Sequence, residues 1–124
     1  MLNPIYPKFE KVNIGVTEDN HPLLTFSFTL APDTIYLQGH FPGAPILPGV
    51  TQLDWAIQLA ADHWGTDRSV QTVEVLKFND MILPEALITL TLQLKRENCV
   101  VFRYSGRDAS FSSGRLIYSD GKTV

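Results

Sequence analysis

Cysteine is nearly absent. Cys99 is the only one in 124 residues, which excludes an internal disulfide and any cysteine-rich metal site. It lies in the apolar run "NCVVFRY", where a buried structural thiol is the expected reading. Basic charge is also scarce. Ten Lys and Arg stand against 13 Asp and Glu, for a net charge of -3, and Lys95–Arg96 is the one adjacent basic pair. That balance argues against a general nucleic-acid binder, and no nucleic-acid partner is expected. Long apolar runs are missing too: no stretch approaches the ~20 residues that span a bilayer. The first ten residues, "MLNPIYPKFE", hold two prolines and no apolar core, so they do not read as a secretory signal, and the expected location is cytoplasmic. Repeats, low-complexity tracts and linkers are absent. Residues 1–124 read as a single domain, long enough to bury one core.

What is present is mostly strand pattern. In "PLLTFSFTL" (22–30), Leu24, Phe26 and Phe28 share one face, with Thr25, Ser27 and Thr29 on the other. "TIYLQ" is a short extended piece, and residues 70–78, "VQTVEVLKF", read as a strand. In "ALITLTLQLK", Ile88, Leu90, Leu92 and Leu94 point one way and Thr89, Thr91, Gln93 and Lys95 the other, a sheet with one packed face. Turns at Glu97–Asn98 and "SGRD" lead into "CVVFRYS" and "SFSSGRLIYSD", which predicts an antiparallel meander. Phe26, Phe28, Phe78 and Phe102 fall on these strands, where core packing is the default. One substantial helix is expected, 49–64, entered at Pro48 and capped by Gly65. Nine of its residues from Val50 to Trp64 are apolar and spread round the circumference, so burial on nearly all sides is predicted. The fold class is α+β: one long buried helix wrapped by a single antiparallel sheet.

The chemistry concentrates in "GHFPGAPILPGVTQLDW" (39–55). Thr51, Asp54 and Gln58 recur at steps of three and four, forming a polar stripe. Asp54 is mid-helix between Leu53 and Trp55, where a charge is costly unless it is paired. Gln58, one turn on, is placed to orient it. Prolines and glycines surround His40 and restrict the backbone that carries it. Gly49 opens the helix, so its N–H is an unpaired donor at the positive dipole end. Imidazole, carboxylate and amide donor suit acid/base chemistry beside a polarised carbonyl. The alternative is a tight surface turn with an incidental histidine and a carboxylate that reaches water, and spacing alone leaves it open. His21 and His63 read as structural or surface groups.

The stretch "GHFPGAPILPGVTQLDWAIQ" resembles the signature of the hot-dog-fold β-hydroxyacyl-[acyl carrier protein] dehydratases, G-H-F-P-x-x-P-x-x-P-G-V-x-Q-[ILM]-[ED], with the acid fourteen positions after the histidine as in His40 and Asp54. "VLKFNDMILPEALITLTLQL" is similar to the family's later segment, so the resemblance covers the chain from about residue 20 onward. Two departures stand out. The acid is Asp, as in the branch that also isomerises, and "LPEA" replaces the usual L-P-G-D turn. Trp55 stands where small residues are common, and "QLDWA" is similar to dehydratases of aryl-polyene clusters.

The resemblance implies a hot-dog fold and a homodimer or higher oligomer, with a heterodimer also open. It implies acyl tunnels at the interface and His40 of one subunit facing Asp54 of the other. His40 would take the C2 proton of a (3R)-hydroxyacyl thioester, Asp54 would assist loss of the C3 hydroxyl, and Gly49 would bind the thioester oxygen. Gln58 would support Asp54, while Phe41, Pro48 and Trp55 would line the tunnel. No metal or cofactor is implied beyond the phosphopantetheine arm of acyl carrier protein, the expected partner. For that acidic partner, Arg68, Lys77, Arg103, Arg107 and Arg115 are candidate rim cations, though for any one of them a scattered solubilising charge is the favoured reading. Rival readings are a dehydratase with isomerase activity, a thioesterase on the same fold, and a non-catalytic or half-site subunit of a heterodimer.

Overall fold

The structure is a computed structural model that describes residues 7–30 and 47–119. Two strands come first, β1 (Lys11–Val16) and β2 (Pro22–Thr29), followed by the helix α1 (Gly49–Trp64). Four more strands complete the chain: β3 (Thr72–Phe78), β4 (Leu87–Arg96), β5 (Cys99–Ser105) and β6 (Ser110–Ile117). They form one six-stranded sheet in the order β1-β2-β4-β5-β6-β3, with every pairing antiparallel. The expected α+β hot-dog arrangement is thus found, with the helix and the β4–β5–β6 meander where the patterning put them.

Register explains the core. Phe26 lies opposite Leu90, Leu90 opposite Tyr104, and Tyr104 opposite Ser112, one row across four strands. Leu24, Leu92 and Phe102 make the next row. These apolar side chains all face α1 and are essentially fully buried, together with Trp55, Ala56, Leu59 and Ala60 of the helix. Small Ala56 and Ala60 let the helix approach the sheet, and Trp55 stacks edge-on against Phe28 with centroids 5.8 Å apart. At its end Gly65 takes φ 70, and its N–H closes on the Ala61 carbonyl at 2.9 Å, the left-handed cap that glycine allows. Cys99 is buried, as expected.

Four expectations change. The strand β1 was not foreseen; it pairs along β2 from Lys11 opposite Ser27 to Val16 opposite Pro22. Burial of α1 on nearly all sides is not found: Val50 is 73% exposed, and Leu53, Asp54, Ile57 and Gln58 are only half-buried. One sheet covers one side of a helix, so the apolar residues on the other side await a different cover. Phe78 is not core either, being 50% exposed at the end of the edge strand β3. The "LPEA" turn does form, but with Glu85 at φ 69, the conformation for which the usual glycine is suited. The piece "TIYLQ" lies outside the described residues.

Candidate active site

The site begins where the helix does. Pro48 arrives in extended geometry with φ -61 and ψ 147 and supplies no side-chain cap. Its carbonyl accepts from the N–H groups of Thr51 and Gln52, each at 3.1 Å. Among the described residues no acceptor meets the Gly49 N–H, so a donor stands at the positive end of a 16-residue helix. A Cβ on Gly49 would come within 2.8 and 2.9 Å of Phe78 ring carbons, so the half-exposed ring would have to shift to admit one.

Gln52 holds this helix start in place. Its side chain is 3% exposed yet fully engaged: Nε2 donates to the Leu47 carbonyl at 3.0 Å, and Oε1 accepts from Ser112 Oγ at 2.7 Å. Its backbone carbonyl accepts from the Tyr104 hydroxyl, also at 2.7 Å. One buried glutamine therefore ties the approach to α1, the helix itself, β5 and β6 together. Gln52 is the glutamine within the quoted signature, but a position in a pattern does not reveal a buried bonding role.

Asp54 follows in the second turn, half-buried on the side of α1 that the sheet leaves open. Gln58 donates through Nε2 to Asp54 Oδ1 at 3.4 Å, a long hydrogen bond, so the expected pairing of acid and glutamine is present. Arg68 in turn donates to Gln58 Oε1 and reaches Asp62 Oδ1 at 2.7 Å. Tyr104 lies beneath. Burial pushes its phenol well above the usual tyrosine value, and the negative charge of Asp54 adds to that. The tyrosine therefore stays a neutral donor.

His40 and Phe41 lie outside the described residues. Pro48 and Trp55 are both buried, Pro48 at the helix entrance and Trp55 in the core. His21 accepts at Nδ1 from Gln93 at 3.3 Å. His63 Nδ1 bonds the Leu59 carbonyl at 3.0 Å, a local helix contact. Of the candidate rim cations, Arg103 and Lys77 each lie opposite Ser113, and Arg115 lies opposite Val101 and Glu74. All three project from the sheet face away from α1, Arg107 is in the β5–β6 turn, and Arg68 is engaged on the helix. Among the described residues no three His, Cys, Asp or Glu side chains gather as a metal site would require, and no helix is long and apolar enough to cross a membrane.

One antiparallel sheet packed along one side of a long helix is the hot-dog arrangement, and here that helix carries the Gly49 N–H and the Gln58-supported Asp54. Residues 16–115 match the ApeI-like family, described as ApeI dehydratase, and the chain belongs to that family. It is 33% identical over 81 residues to the 3-hydroxyacyl-[acyl-carrier-protein] dehydratase FabZ of Erythrobacter litoralis, a match covering 58% of this chain and 54% of that protein. To FabZ of Cereibacter sphaeroides it is 31% identical over 115 residues, covering 86% and 66%. The chain thus spans about half of the first relative and just under two thirds of the second. Among solved structures it superposes on the dehydratase heterocomplex ApeI:P from Xenorhabdus doucetiae with a TM-score of 0.78 at 24% identity, covering 91% of this chain and 97% of that one. An uncharacterised protein from Erwinia carotovora subsp. atroseptica gives 0.74 at 27%, covering 91% and 95%.

Proposed function

We propose that this chain dehydrates (3R)-hydroxyacyl thioesters carried on acyl carrier protein to trans-2-enoyl thioesters, in fatty acid or polyene-type lipid synthesis. The observation that carries the reading is the helix start: an uncapped Gly49 N–H with the Gln58-supported Asp54 one and a half turns further on the same helix. That arrangement is what a thioester losing water across C2–C3 requires. His40 takes the C2 proton, a task suited to imidazole, the side chain whose reference pKa lies near neutrality. The C2 electron pair closes the new double bond as the C3–O bond breaks. Asp54 either protonates the departing hydroxyl or holds it while the proton taken by His40 is passed to it, and in both cases it leaves as water. The Gly49 N–H stabilises charge that develops on the thioester oxygen. Phe41, Pro48 and Trp55 are assigned to the tunnel wall, Trp55 from its buried place on α1. The substrate arrives on a phosphopantetheine arm, no other cofactor takes part, and the reaction is placed in the cytoplasm.

A second subunit completes the site. The side of α1 bearing Val50, Leu53, Asp54 and Ile57 is open, the helix start meets Phe78 of edge strand β3 at Gly49, and Val75, Leu76, Met81 and Leu83 are exposed on and after that strand. An apolar patch of that extent supports an oligomer interface, across which His40 of one copy would face Asp54 of the other. A second reading makes this chain one half of a heterodimer, favoured by its likeness to a complex that is itself named a heterocomplex.

Water loss from 3-hydroxyacyl carrier protein, followed by mass, tests both. The chain is assayed alone and with a related hot-dog partner, and native mass spectrometry reports the assembly. Wild type should dehydrate, and His40→Ala and Asp54→Asn should each slow turnover by about 100-fold or more while remaining folded. Absence of wild-type turnover on short, long and polyene substrates, alone and partnered, would overturn the assignment. Turnover only with the partner selects the heterodimer.

A further inference from the structure

Asp54, Gln58 and Asp62 follow one another at steps of four on α1, so they form a ladder along one side of the helix. Gly65 reverses the chain with φ 70, and three residues later Arg68 folds back onto that ladder. One of its nitrogens, Nη1, donates to Gln58 Oε1, and the other, Nη2, to Asp62 Oδ1 at 2.7 Å. We propose that Arg68 is a positioning residue for Asp54, acting through the amide of Gln58; this rests on the dehydratase reading above.

The reasoning is donor and acceptor arithmetic. The two ends of a glutamine amide are nearly identical in shape, so packing alone barely distinguishes its two orientations. A guanidinium only donates and a carboxylate only accepts. With Arg68 on one side and Asp54 on the other, only one orientation satisfies both: oxygen towards Arg68, NH2 towards Asp54. A flipped amide would set donor against donor and oxygen against oxygen. Arg68 thereby keeps the donor of Gln58 aimed at the carboxylate, and Asp62 holds the guanidinium at its other edge. The Arg68–Asp62 pair is 54% and 38% exposed in its side chains, a setting where an ion pair adds little to stability. Its effect falls on orientation. The sequence suggested Arg68 as a rim cation; its contacts give it different work.

The test is a double-mutant cycle on kcat and KM with wild type, Arg68→Met, Gln58→Ala and the double variant, with Arg68→Lys as rescue. Arg68→Met should lower kcat on the order of tenfold with KM and melting temperature unchanged, the size of coupling within one hydrogen-bond network. Arg68→Lys, still a pure donor, should recover part of the loss. In the Gln58→Ala background Arg68→Met should do nothing more. Additive losses overturn the proposal, and so does a rise in KM alone, which would assign Arg68 to carrier-protein docking. One readout needs no turnover. The side-chain amide resonance of Gln58, assigned by its disappearance in Gln58→Ala, should shift in Arg68→Met, and an unmoved resonance overturns the relay. An inactive wild type would sink the dehydratase reading while the amide resonance still decides the contact.

Discussion

Glu85 sits at φ 69 with its N–H donated to the Leu30 carbonyl at 2.6 Å, and Leu30 returns a bond to the Ala86 carbonyl at 3.1 Å. The turn is clamped in a backbone region that costs a side-chain-bearing residue about 1–2 kcal/mol. Glu85→Gly removes that cost but frees the unfolded chain, which offsets part of the gain. The expected net is about 0.5–1 kcal/mol of added stability, or roughly 2–5 °C in melting temperature by calorimetry. An unchanged or lower transition would mean that the Glu85 side chain compensates. The departure from L-P-G-D was legible in the sequence, and so was the turn. The strained dihedral was not, because a residue name does not give φ. The contacts of Arg68 were hidden for a related reason: a charge on a loop shows no partner until the loop is folded.

The helix is the element the sequence described best. Pro48 and Gly65 mark its ends by backbone chemistry, and both limits agree with the structure. The meander was equally plain, because alternation in β4 through β6 leaves one side polar. The strand β1 was harder to see. Asn13 and Gly15 are poor strand residues, and its apolar Val12, Ile14 and Val16 remain exposed on an edge. Gln52 was hidden by its polarity, since its pattern position could not show that it is buried. Gln52→Leu should destabilise the fold by about 1–3 kcal/mol in urea titration, because the Ser112 hydroxyl loses its acceptor and the Leu47 carbonyl its donor. Adding Ser112→Ala should restore part of that loss. If the double variant is as unstable as the two single losses combined, the contact has been misread.

At the scale of the molecule, the sequence made the helix look wrapped because apolar composition cannot say which surface covers which residue. The open side of α1 and the exposed edge β3 meet at Phe78 and Gly49, and the proposed oligomer would supply the cover that one sheet does not. Val75 offers a clean probe. It is 56% exposed at φ 52, where the β3–β6 register shifts between Glu74 and Lys77. Aspartate tolerates that backbone better than valine does, so Val75→Asp should leave each protomer as stable as before or more so. The same charge placed in an apolar edge should split the oligomer, seen as a halved mass by light scattering, with turnover lost. Persistence of the oligomer would move the interface elsewhere. The three bonds of Gln52 also have a kinetic meaning. Helix ends ordinarily fray, and their amides exchange with solvent within seconds to minutes. Here the first turn is fastened to two strands, so the Gln52 amide should exchange only when the whole domain opens. The donor at Gly49 would then keep its aim from one turnover to the next.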